Sequence, residues 1–338
     1  MNKGLTGLAN VGNSCYINSC MQIISHTYEL NEFLNLELHR RIEKNTSLDT
    51  NLLIEWDNLR KMMWQENMVI SPNRYIDTIQ RVAKFKGHEL FTEYYQNDIE
   101  EFFLFIIDTF HEALKRKLNI RIKGIPENET DKLAIKCYEV ISKTYKNEYS
   151  EMLDLFYGVH VSQIRCKNTN ELLSSTPEMY SIISLPIPKI KEEVNILDCF
   201  DMYCKEELMS GENSWYNEEL NKKMDVNKEI KFWNLPKILI VSLKRWNETG
   251  RKINKKVNLD LNELDLSKFV VGYKPKSYKY ELYGVCNHSG GSMGGHYTSS
   301  IKTANGKWYN FNDTNVKNIN EKEIISGKSY CFFYRKKK

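Results

Sequence analysis

The chain has 338 residues, enough to bury a sizeable core as one large domain or two average ones. Its 41% hydrophobic and 27% charged residues are typical of a globular protein, and a net charge of +4 with interspersed lysines and glutamates argues against a nucleic-acid partner. Eight cysteines without a Cys-x-x-Cys pair are too few for a disulfide scaffold. Because the first residues do not fit a signal peptide and no apolar run approaches a membrane span, we expect an intracellular protein, cytoplasmic and/or nuclear, without membrane contact.

The first motif is the stretch 7–16, which ends just past Cys15. Apolar residues then recur at helical spacing as far as Ile24, so a helix is predicted to begin here with Asn13 or Ser14 as its N-cap. In the first turn of a helix, free N–H groups and the helix dipole favour a thiolate over a thiol. Cys15 is therefore the candidate nucleophile.

Further helices are predicted on both sides of residue 100. Residues 30–90 have a polar-faced helical pattern, in which Ser71 is predicted as an N-cap and Pro72 as the first helical position. Residues 119–152 are charged, and their pattern predicts helix with a break near Gly124.

The clearest amphipathic helix is predicted to begin at Ile99. It follows Gln96, Asn97 and Asp98, and Asn97 with Glu100 three residues later resembles a capping box. From helix mechanics alone, a capping role for this stretch is favoured over a functional one.

The second half of the chain changes from a helical to an alternating pattern. Strands are predicted at 156–166, 180–185, 230–234, 238–245, 278–286, 296–302, 307–311 and 330–334. Helices followed by strands predict an α+β fold, not a β-α alternation.

A glycine-rich loop ends at His296, with glycines at 290, 291, 294 and 295 that allow a ligand backbone to approach closely. Asn305-Gly306 then predicts a hairpin with a two-residue turn. This register sets Thr298 opposite Asp313 and leaves His296 diagonal to that carboxylate, at roughly 7–8 Å between Cα atoms. Asp313 is therefore predicted to accept the Nδ1 proton of His296 and to direct Nε2 outward.

Taken singly, a cysteine on a helix face or a histidine beside a strand is most often structural. The order Cys, His, Asp, with His and Asp on one hairpin, is that of papain-like cysteine peptidases and favours catalysis. Cys20 lies off the Cys15 face and is interpreted as core. His288, before the glycine loop, is the main rival base.

At these residues the sequence resembles the ubiquitin-specific protease family of deubiquitinating enzymes over nearly its whole length. The matching motifs are a Cys box at 7–19, a Gln-Gln-Asp box at 96–102 with Asn97 for the second Gln, a His box at 283–298 and 308–313, and the stretches 235–246 and 330–335. The resemblance implies one catalytic domain, 1–338, with a helical thumb at about 1–155 and a palm at about 156–338 that carries fingers at about 160–235.

The resemblance also implies roles for individual residues. Cys15 would be the nucleophile, His296 the base, Asp313 its orienter and Asn10 an oxyanion donor, and a side-chain amide before the sulfur is physically suited to that last role. Asp98 would bind the basic tail of ubiquitin, and the 288–295 loop would be a blocking loop over the tail channel. The predicted substrate-binding residues are Asp98, Gln96, Gly294, Gly295, His288 and Asn312.

The fingers depart from the family pattern, which often includes two Cys-x-x-Cys pairs on a structural zinc. Cys166 survives from the first pair, while Thr169, Asn217 and Leu220 stand at the other ligand positions. Zinc needs four ligands, so no metal is predicted.

The predicted function is cofactor-free, thiol-dependent hydrolysis of the bond after the C-terminal glycine of ubiquitin, by a monomer whose partners are ubiquitin and ubiquitinated proteins. Two other classes remain open: a catalytically silent ubiquitin-binding module, and a protease for a ubiquitin-like modifier or an unrelated peptide. The intact Cys15, His296 and Asp313 argue against the silent module.

Overall fold

The computed structural model describes residues 3–42, 46–291 and 294–337. Ser292 and Met293, in the centre of the predicted blocking loop, lie outside the described residues. Most helices of the described ranges precede residue 157, and they are α1 (Cys15–Ser25), α2 (Tyr28–Ile42), α3 (Leu48–Gln65), α4 (Asn73–Phe85), α5 (Ile99–Leu114), α6 (Glu129–Glu148), α7 (Glu151–Phe156), α8 (Ile196–Cys204) and α9 (Glu321–Ile324).

Two short strands lie among the first helices, and the remaining strands follow residue 157. The strands are β1 (Gly7–Leu8), β2 (Val69–Ile70), β3 (Gly158–Cys166), β4 (Leu172–Tyr180), β5 (Ile182–Leu185), β6 (Val194–Asn195), β7 (Glu207–Met209), β8 (Trp215–Asn217), β9 (Lys222–Met224), β10 (Val226–Asn234), β11 (Ile238–Leu243), β12 (Val257–Asn258), β13 (Leu264–Asp265), β14 (Lys279–Gly291), β15 (Gly294–Lys302), β16 (Trp308–Asn312), β17 (Asn315–Ile319) and β18 (Ser329–Lys336).

Two sheets organise the second half of the chain. In the larger one the strands run β17-β16-β15-β14-β18-β11-β5, with β13 also paired to β14. The smaller one has the order β4-β3-β10-β7. The long strands β14 and β15 pair antiparallel from Gly284 opposite Ile301 to Gly291 opposite Gly294. The large sheet therefore carries Gly290, Gly291, Gly294 and Gly295 as strand residues, where the sequence predicted a loop.

Helix α1 lies in the core between the large sheet and α5. It packs against β14 and β15 on one side and α5 on the other, and all eleven of its residues are buried. Burial on every face is expected of a central helix, not of a surface one. The first residue of this helix, Cys15, is therefore held on a rigid element.

The predicted α+β class is confirmed, because the helices largely precede the strands. Each predicted strand overlaps one in the structure. Several strands were not predicted, among them β17 and, apart from its last residue, β4. Both β4 and β17 are edge strands, and apart from Tyr180 at the end of β4 none of their residues is buried. The apolar alternation that makes a strand recognisable is therefore missing. Pro177 lies within β4, and a proline is tolerated on an edge strand because no partner needs its missing N–H.

The predicted cap of α5 is wrong by one residue. Asp98 is the N-cap, and its Oδ1 accepts a hydrogen bond from the backbone N–H of Glu100 at 2.7 Å. The side chain of Asn97 instead donates to the hydroxyl of Tyr16 at 3.1 Å. A contact between distant parts of the chain thus takes the Asn97 amide away from the helix end.

Two other helix boundaries also differ from the prediction. Pro72 is itself the N-cap of α4, so Ser71 lies one position too early to be the cap. The segment before Glu129 is not helical, and Gly124 has a φ of +131°, which only glycine adopts readily. The predicted break near Gly124 is therefore present, and the helix begins only at Glu129, the first residue of α6.

Candidate active site

The hairpin that carries His296 has a register one residue away from the prediction. Ser299 pairs with Phe311 and Lys302 with Trp308. Thr303 and Lys307 bond across the loop, and the Gly306 N–H bonds to the Thr303 carbonyl. The loop is therefore three residues long, a length that shifts the pairing relative to a two-residue Asn-Gly turn.

The shift changes the partner of His296. When the register is extended along the strands, Thr298 lies opposite Asn312, not opposite Asp313. The Nε2 atom of His296 lies 2.7 Å from Oδ1 of Asn312. Because an amide oxygen only accepts, Nε2 carries the proton and Nδ1 is the free, accepting nitrogen. The predicted bond from Nδ1 to Asp313 is wrong on both the atom and the partner.

Asp313 faces the Cys15 loop instead of His296. Its Oδ2 accepts from Nδ2 of Asn10 at 3.1 Å, and its Oδ1 accepts from Nδ2 of Asn18 at 2.8 Å. The residue has a left-handed φ of +50°, and its carbonyl accepts from the N–H of Leu8 at 3.0 Å. This backbone conformation and the one-residue register shift together turn the carboxylate towards α1.

Asn10 is exposed and held at both ends of its side chain. Its Oδ1 accepts from the backbone N–H groups of Gly12 at 3.3 Å and Ser14 at 3.1 Å. Its Nδ2 donates to Asp313 at 3.1 Å. An amide nitrogen has two N–H groups, and this bond uses one of them. The other can be directed at a developing oxyanion.

Cys15 begins α1 as predicted, and Ser14 is the N-cap, although the Ser14 hydroxyl makes no capping bond. Burial raises the pKa of the Cys15 thiol, and the Asp313 carboxylate raises it further. Hydrogen bonds from backbone N–H groups, that of Tyr297 first, lower the pKa but do not outweigh burial. The helix start was predicted to favour the thiolate, and burial reverses that balance.

Beside this site is a cavity of about 280 Å³. Its described lining contains five of the six predicted substrate-binding residues and not the sixth, Asn312, which bonds to His296. The lining residues are Gln96, Asn97, Asp98, Trp246, His288, Gly291, Gly294, Gly295 and Tyr297. The helix α5 start, the β14–β15 hairpin and the segment after β11 thus form one cleft.

Gln96 bridges the two walls of this cleft. Its Oε1 accepts from the N–H of Gly295 at 2.6 Å, and its Nε2 donates to Oδ1 of Asn13 at 3.4 Å. A Cβ on Gly294 would lie 3.1 Å from Oε1 of Gln96. Glycine at this position therefore lets the strand approach Gln96 on the α5 side.

Asp98 both caps α5 and lines the cavity. While its Oδ1 caps the helix, its Oδ2 accepts from the Tyr330 hydroxyl at 3.0 Å. The capping role favoured by helix mechanics is present, and the side chain also contributes to the cleft wall. One carboxylate therefore has two structural partners and also lines the cavity.

His288 lies in the cavity wall and not beside Asp313. Its Nδ1 lies 2.9 Å from Nζ of Lys252, and its ring centre is 4.6 Å from that of Tyr297. Burial, then the Lys252 charge, then His296 lower the pKa of His288 to about 4. A base must gain a proton during turnover, so this environment is unsuited to the rival role that the sequence left open.

Two residues that bond within this site were missed at the sequence level. Asn18 is buried, and besides Asp313 its Nδ2 contacts the carbonyls of Leu8 and Ala9 at 3.3 and 3.2 Å. Its position, a polar residue three residues after Cys15 in a mostly apolar run, was the available signal. Lys252 gave no signal, because it lies in an irregular, highly charged segment.

The fingers retain the two turns that would hold a zinc in the family pattern. The hydroxyl and N–H of Thr169 and the N–H of Asn168 bond to the Cys166 sulfur and lower its pKa. In the second turn, Oδ1 of Asn217 accepts from the N–H of Leu220 at 3.0 Å. Over the described ranges, no cluster of three or more His, Cys, Asp or Glu residues could hold a metal.

The described residues contain no helix long and apolar enough to cross a bilayer.

A family model described as ubiquitin carboxyl-terminal hydrolase matches residues 6–334. The chain belongs to the ubiquitin carboxyl-terminal hydrolase family. The resemblance identified from the sequence motifs is therefore confirmed.

Relatives of this family match almost the whole chain. Ubiquitin carboxyl-terminal hydrolase 2 of Homo sapiens is 32% identical over 343 residues, covering 98% of this chain and 55% of that protein. Ubiquitin carboxyl-terminal hydrolase 4 of Saccharomyces cerevisiae is 30% identical over 361 residues, covering 98% of this chain and 39% of that protein. The chain thus spans about half, or less, of the length of these ubiquitin carboxyl-terminal hydrolases.

A solved structure of the SAGA DUB module with Ubp8, Sgf11, Sus1 and Sgf73, bound to monoubiquitin, has the same fold. The TM-score is 0.75 at 21% identity, and the match covers 100% of this chain and 70% of that chain. The thumb, palm and fingers layout implied for this ubiquitin carboxyl-terminal hydrolase family member is consistent with that neighbour.

Proposed function

We propose that the chain is a cysteine-type deubiquitinase that hydrolyses the isopeptide or peptide bond after the C-terminal glycine of ubiquitin. One juxtaposition carries the proposal. The backbone N–H of Tyr297, the residue after His296, lies at the Cys15 sulfur, while Asn312 anchors the imidazole of His296. A nucleophile on a rigid helix, with a base fixed by a third group, suits acyl transfer. Membership of the family supports the same reaction class.

His296 acts through its Nδ1 atom in this proposal. Since Nε2–H donates to Asn312, Nδ1 has the lone pair that takes the proton from the Cys15 thiol. The thiolate attacks the carbonyl carbon, and His296 then gives the proton to the leaving lysine amine. Water deprotonated by the same nitrogen hydrolyses the thioester and regenerates the thiol. Asn312 thus takes the orienting role that the sequence assigned to Asp313.

Asp313 and Asn10 act together on the oxyanion. Asp313 accepts one N–H of the Asn10 amide, and the carbonyl of that amide is fixed by the N–H groups of Gly12 and Ser14. The second N–H of Asn10 is then a preorganised donor for the tetrahedral intermediate. Asn18 stabilises this arrangement, because its Nδ2 donates a hydrogen bond to Oδ1 of Asp313.

The cavity beside the site suits a glycine-containing, basic peptide tail. Gly294 and Gly295 form one wall, which has no side chains of its own to obstruct a narrow peptide. Asp98 gives the opposite wall a carboxylate for the basic residues of the tail. Binding of ubiquitin to the structural neighbour supports ubiquitin as the source of that tail.

We also propose that the reaction needs no cofactor, since the groups above supply nucleophile, base and oxyanion donor. Ubiquitin and ubiquitinated proteins are the proposed partners, and the chain is proposed to act as a monomer inside the cell, in the cytoplasm and/or nucleus. Hydrolysis of the isopeptide bond needs one nucleophile, one base and one oxyanion donor, and a single chain contains all three.

The test is intact-mass detection of an adduct with a ubiquitin probe that has an electrophilic C-terminus. We expect one adduct on the wild-type chain and none on Cys15→Ala. Cys166→Ser is the matched control, because Cys166 is the half-exposed thiol whose pKa is lowered. The control should still form the adduct.

The outcomes separate the alternatives. A folded wild-type chain that binds ubiquitin without forming an adduct would indicate a silent binding module. Labelling by a probe built on a ubiquitin-like modifier, in preference to ubiquitin, would indicate the other protease class. An adduct that is lost in Cys166→Ser would overturn Cys15 as nucleophile.

A further inference from the structure

Lys252 is a half-buried cation with unusual partners. Its Nζ donates to the backbone carbonyl of His288 at 2.6 Å and lies 2.9 Å from Nδ1 of the same residue. It also lies 5.7 Å from the centre of the Trp246 ring. No ion pair joins it to a carboxylate among the described residues, and burial with the charges of Arg245 and Lys328 lowers its pKa. Half-burying an ammonium without a carboxylate partner costs free energy. The contacts to His288 are the polar interactions that offset this cost.

The contact determines which nitrogen of His288 is protonated. An ammonium has three N–H groups and no lone pair, so it can only donate to Nδ1. Nδ1 must then be unprotonated, and the proton lies on Nε2. A Cβ on Gly295 would lie 2.2 Å from this Nε2. The N–H of His288 therefore lies against the glycine wall of the cavity.

The neutral ring matters because of the groups around it. Lys252 faces it from the segment after β11, His296 and Tyr297 face it from β15, and Asp98 lines the same cavity from the start of α5. If His288 were an imidazolium, it would add a cation to the wall shared with Asp98. That cation would compete with a basic tail for the carboxylate.

We propose that Lys252 is a positioning residue that holds His288 as a neutral, fixed imidazole with its N–H on Nε2, so that the cavity keeps Asp98 available for the cationic residues of the substrate tail. This proposal rests on the proposed function for its substrate. The positive charge then lies on the Lys252 ammonium, at Nδ1 of His288, and not on the His288 ring that lines the cavity.

The first experiment reads the tautomer of His288 directly, by long-range proton–nitrogen NMR correlation from pH 5 to pH 8. The chain has seven histidines, and His288→Gln assigns the signal. In the wild-type chain, His288 should stay neutral with the proton on Nε2 throughout. In Lys252→Met the pKa of His288 should rise, although burial still keeps it below the ordinary histidine value of about 6.5, and the proton should no longer be confined to Nε2.

Two variants accompany this measurement. Lys252→Arg keeps a cationic donor and should keep the wild-type tautomer. Lys256→Met removes an exposed lysine from the same segment and should leave the His288 signal unchanged. A wild-type His288 that titrates near 6.5, or one with its proton on Nδ1, overturns the proposal, as does a Lys252→Met signal identical to wild type.

The second experiment measures hydrolysis of a fluorogenic ubiquitin C-terminal amide at pH 6 and pH 8. We expect Lys252→Met to raise KM at pH 6 by roughly 3- to 10-fold, less at pH 8, with kcat changed less than twofold. An equal fall in kcat at both pH values would indicate general structural damage and overturn the positioning role. If the wild-type chain does not cleave ubiquitin at all, the proposed function fails, while the NMR result still decides the state of His288.

Discussion

The Nε2 atom of His296 lies 2.7 Å from Oδ1 of Asn312, whereas the carboxylate of Asp313 bonds to the side chains of Asn10 and Asn18. Two adjacent residues at the end of β16 therefore serve the two sides of the site. Asn312 bonds to the proposed base, and Asp313 bonds to the loop that precedes the proposed nucleophile. Their separate contacts make the two roles independently testable.

Asn312→Ala should lower kcat/KM for a fluorogenic ubiquitin amide by roughly 10- to 100-fold, because His296 loses the acceptor that fixes its ring and tautomer. Asn312→Asp should retain much of the activity, since a carboxylate also accepts from Nε2–H. Asn315→Ala is the matched control on the exposed start of β17, and it should behave like wild type. Equal activity of Asn312→Ala and the control would contradict the orienting role.

Asn18→Ala should destabilise the chain by roughly 1–3 kcal/mol, because it removes a buried donor to the Asp313 carboxylate and to two backbone carbonyls. The free energy of unfolding in urea measures the effect. The same variant should lower kcat, since Asp313 would no longer hold Asn10 in place. Unchanged stability together with unchanged kcat would show that this bond has no role in the site.

The hairpin illustrates what the sequence could and could not predict about the site. Local pattern predicted β15, β16 and the turn at Asn305-Gly306, because neighbouring residues determine a hairpin. It did not predict the extra loop residue, and a one-residue shift changes which side chain faces His296. The error therefore lay in the register and not in the choice of elements.

Long-range contacts were the least predictable part. Asn18 and Asp313 are 295 residues apart, and Lys252 and His288 are 36 apart. No periodicity or local turn signal links such pairs. The tertiary contact of Asn97 with Tyr16 similarly overrode a local capping pattern.

Alkylation by iodoacetamide should reveal the raised pKa of the Cys15 thiol when no substrate is bound. Only the thiolate reacts, so the rate at Cys15 should keep rising through pH 9, the ordinary thiol value. Cys166, whose pKa is lowered by the bonds from Thr169, should react earlier in the same titration. Peptide mass mapping gives both rates from one sample. A rate at Cys15 that levels off near pH 7 would contradict the dominance of burial.

Metal removal should not affect the fold. Thr169 and Asn217 close the two turns of the fingers by hydrogen bonds where the family pattern often has zinc ligands. We therefore expect an excess of chelator to leave Tm unchanged, as followed by circular dichroism. Elemental analysis finding one zinc per chain would contradict this expectation.

His26 should make the fold sensitive to acid. The ring is completely buried, with its Nδ1 2.9 Å from the Gln22 carbonyl, and burial lowers the pKa of His26 from 6.5 to about 4. The unfolded chain therefore binds a proton at His26 below pH 6.5, whereas the folded chain binds it only below about pH 4. Stability from this group is intact above pH 6.5 and falls as the pH drops through that window, by roughly 2.5 kcal/mol at pH 4.5.

The measurement is the free energy of unfolding at pH 7.5 and pH 4.5 for wild type and for His26→Gln. The variant should lose less stability between the two pH values than wild type does, even if it is less stable at pH 7.5, because its side chain does not titrate. His39→Gln removes an exposed histidine from α2 and should keep the wild-type loss. An equal loss in His26→Gln and wild type would show that other groups, and not this buried ring, cause the sensitivity to acid.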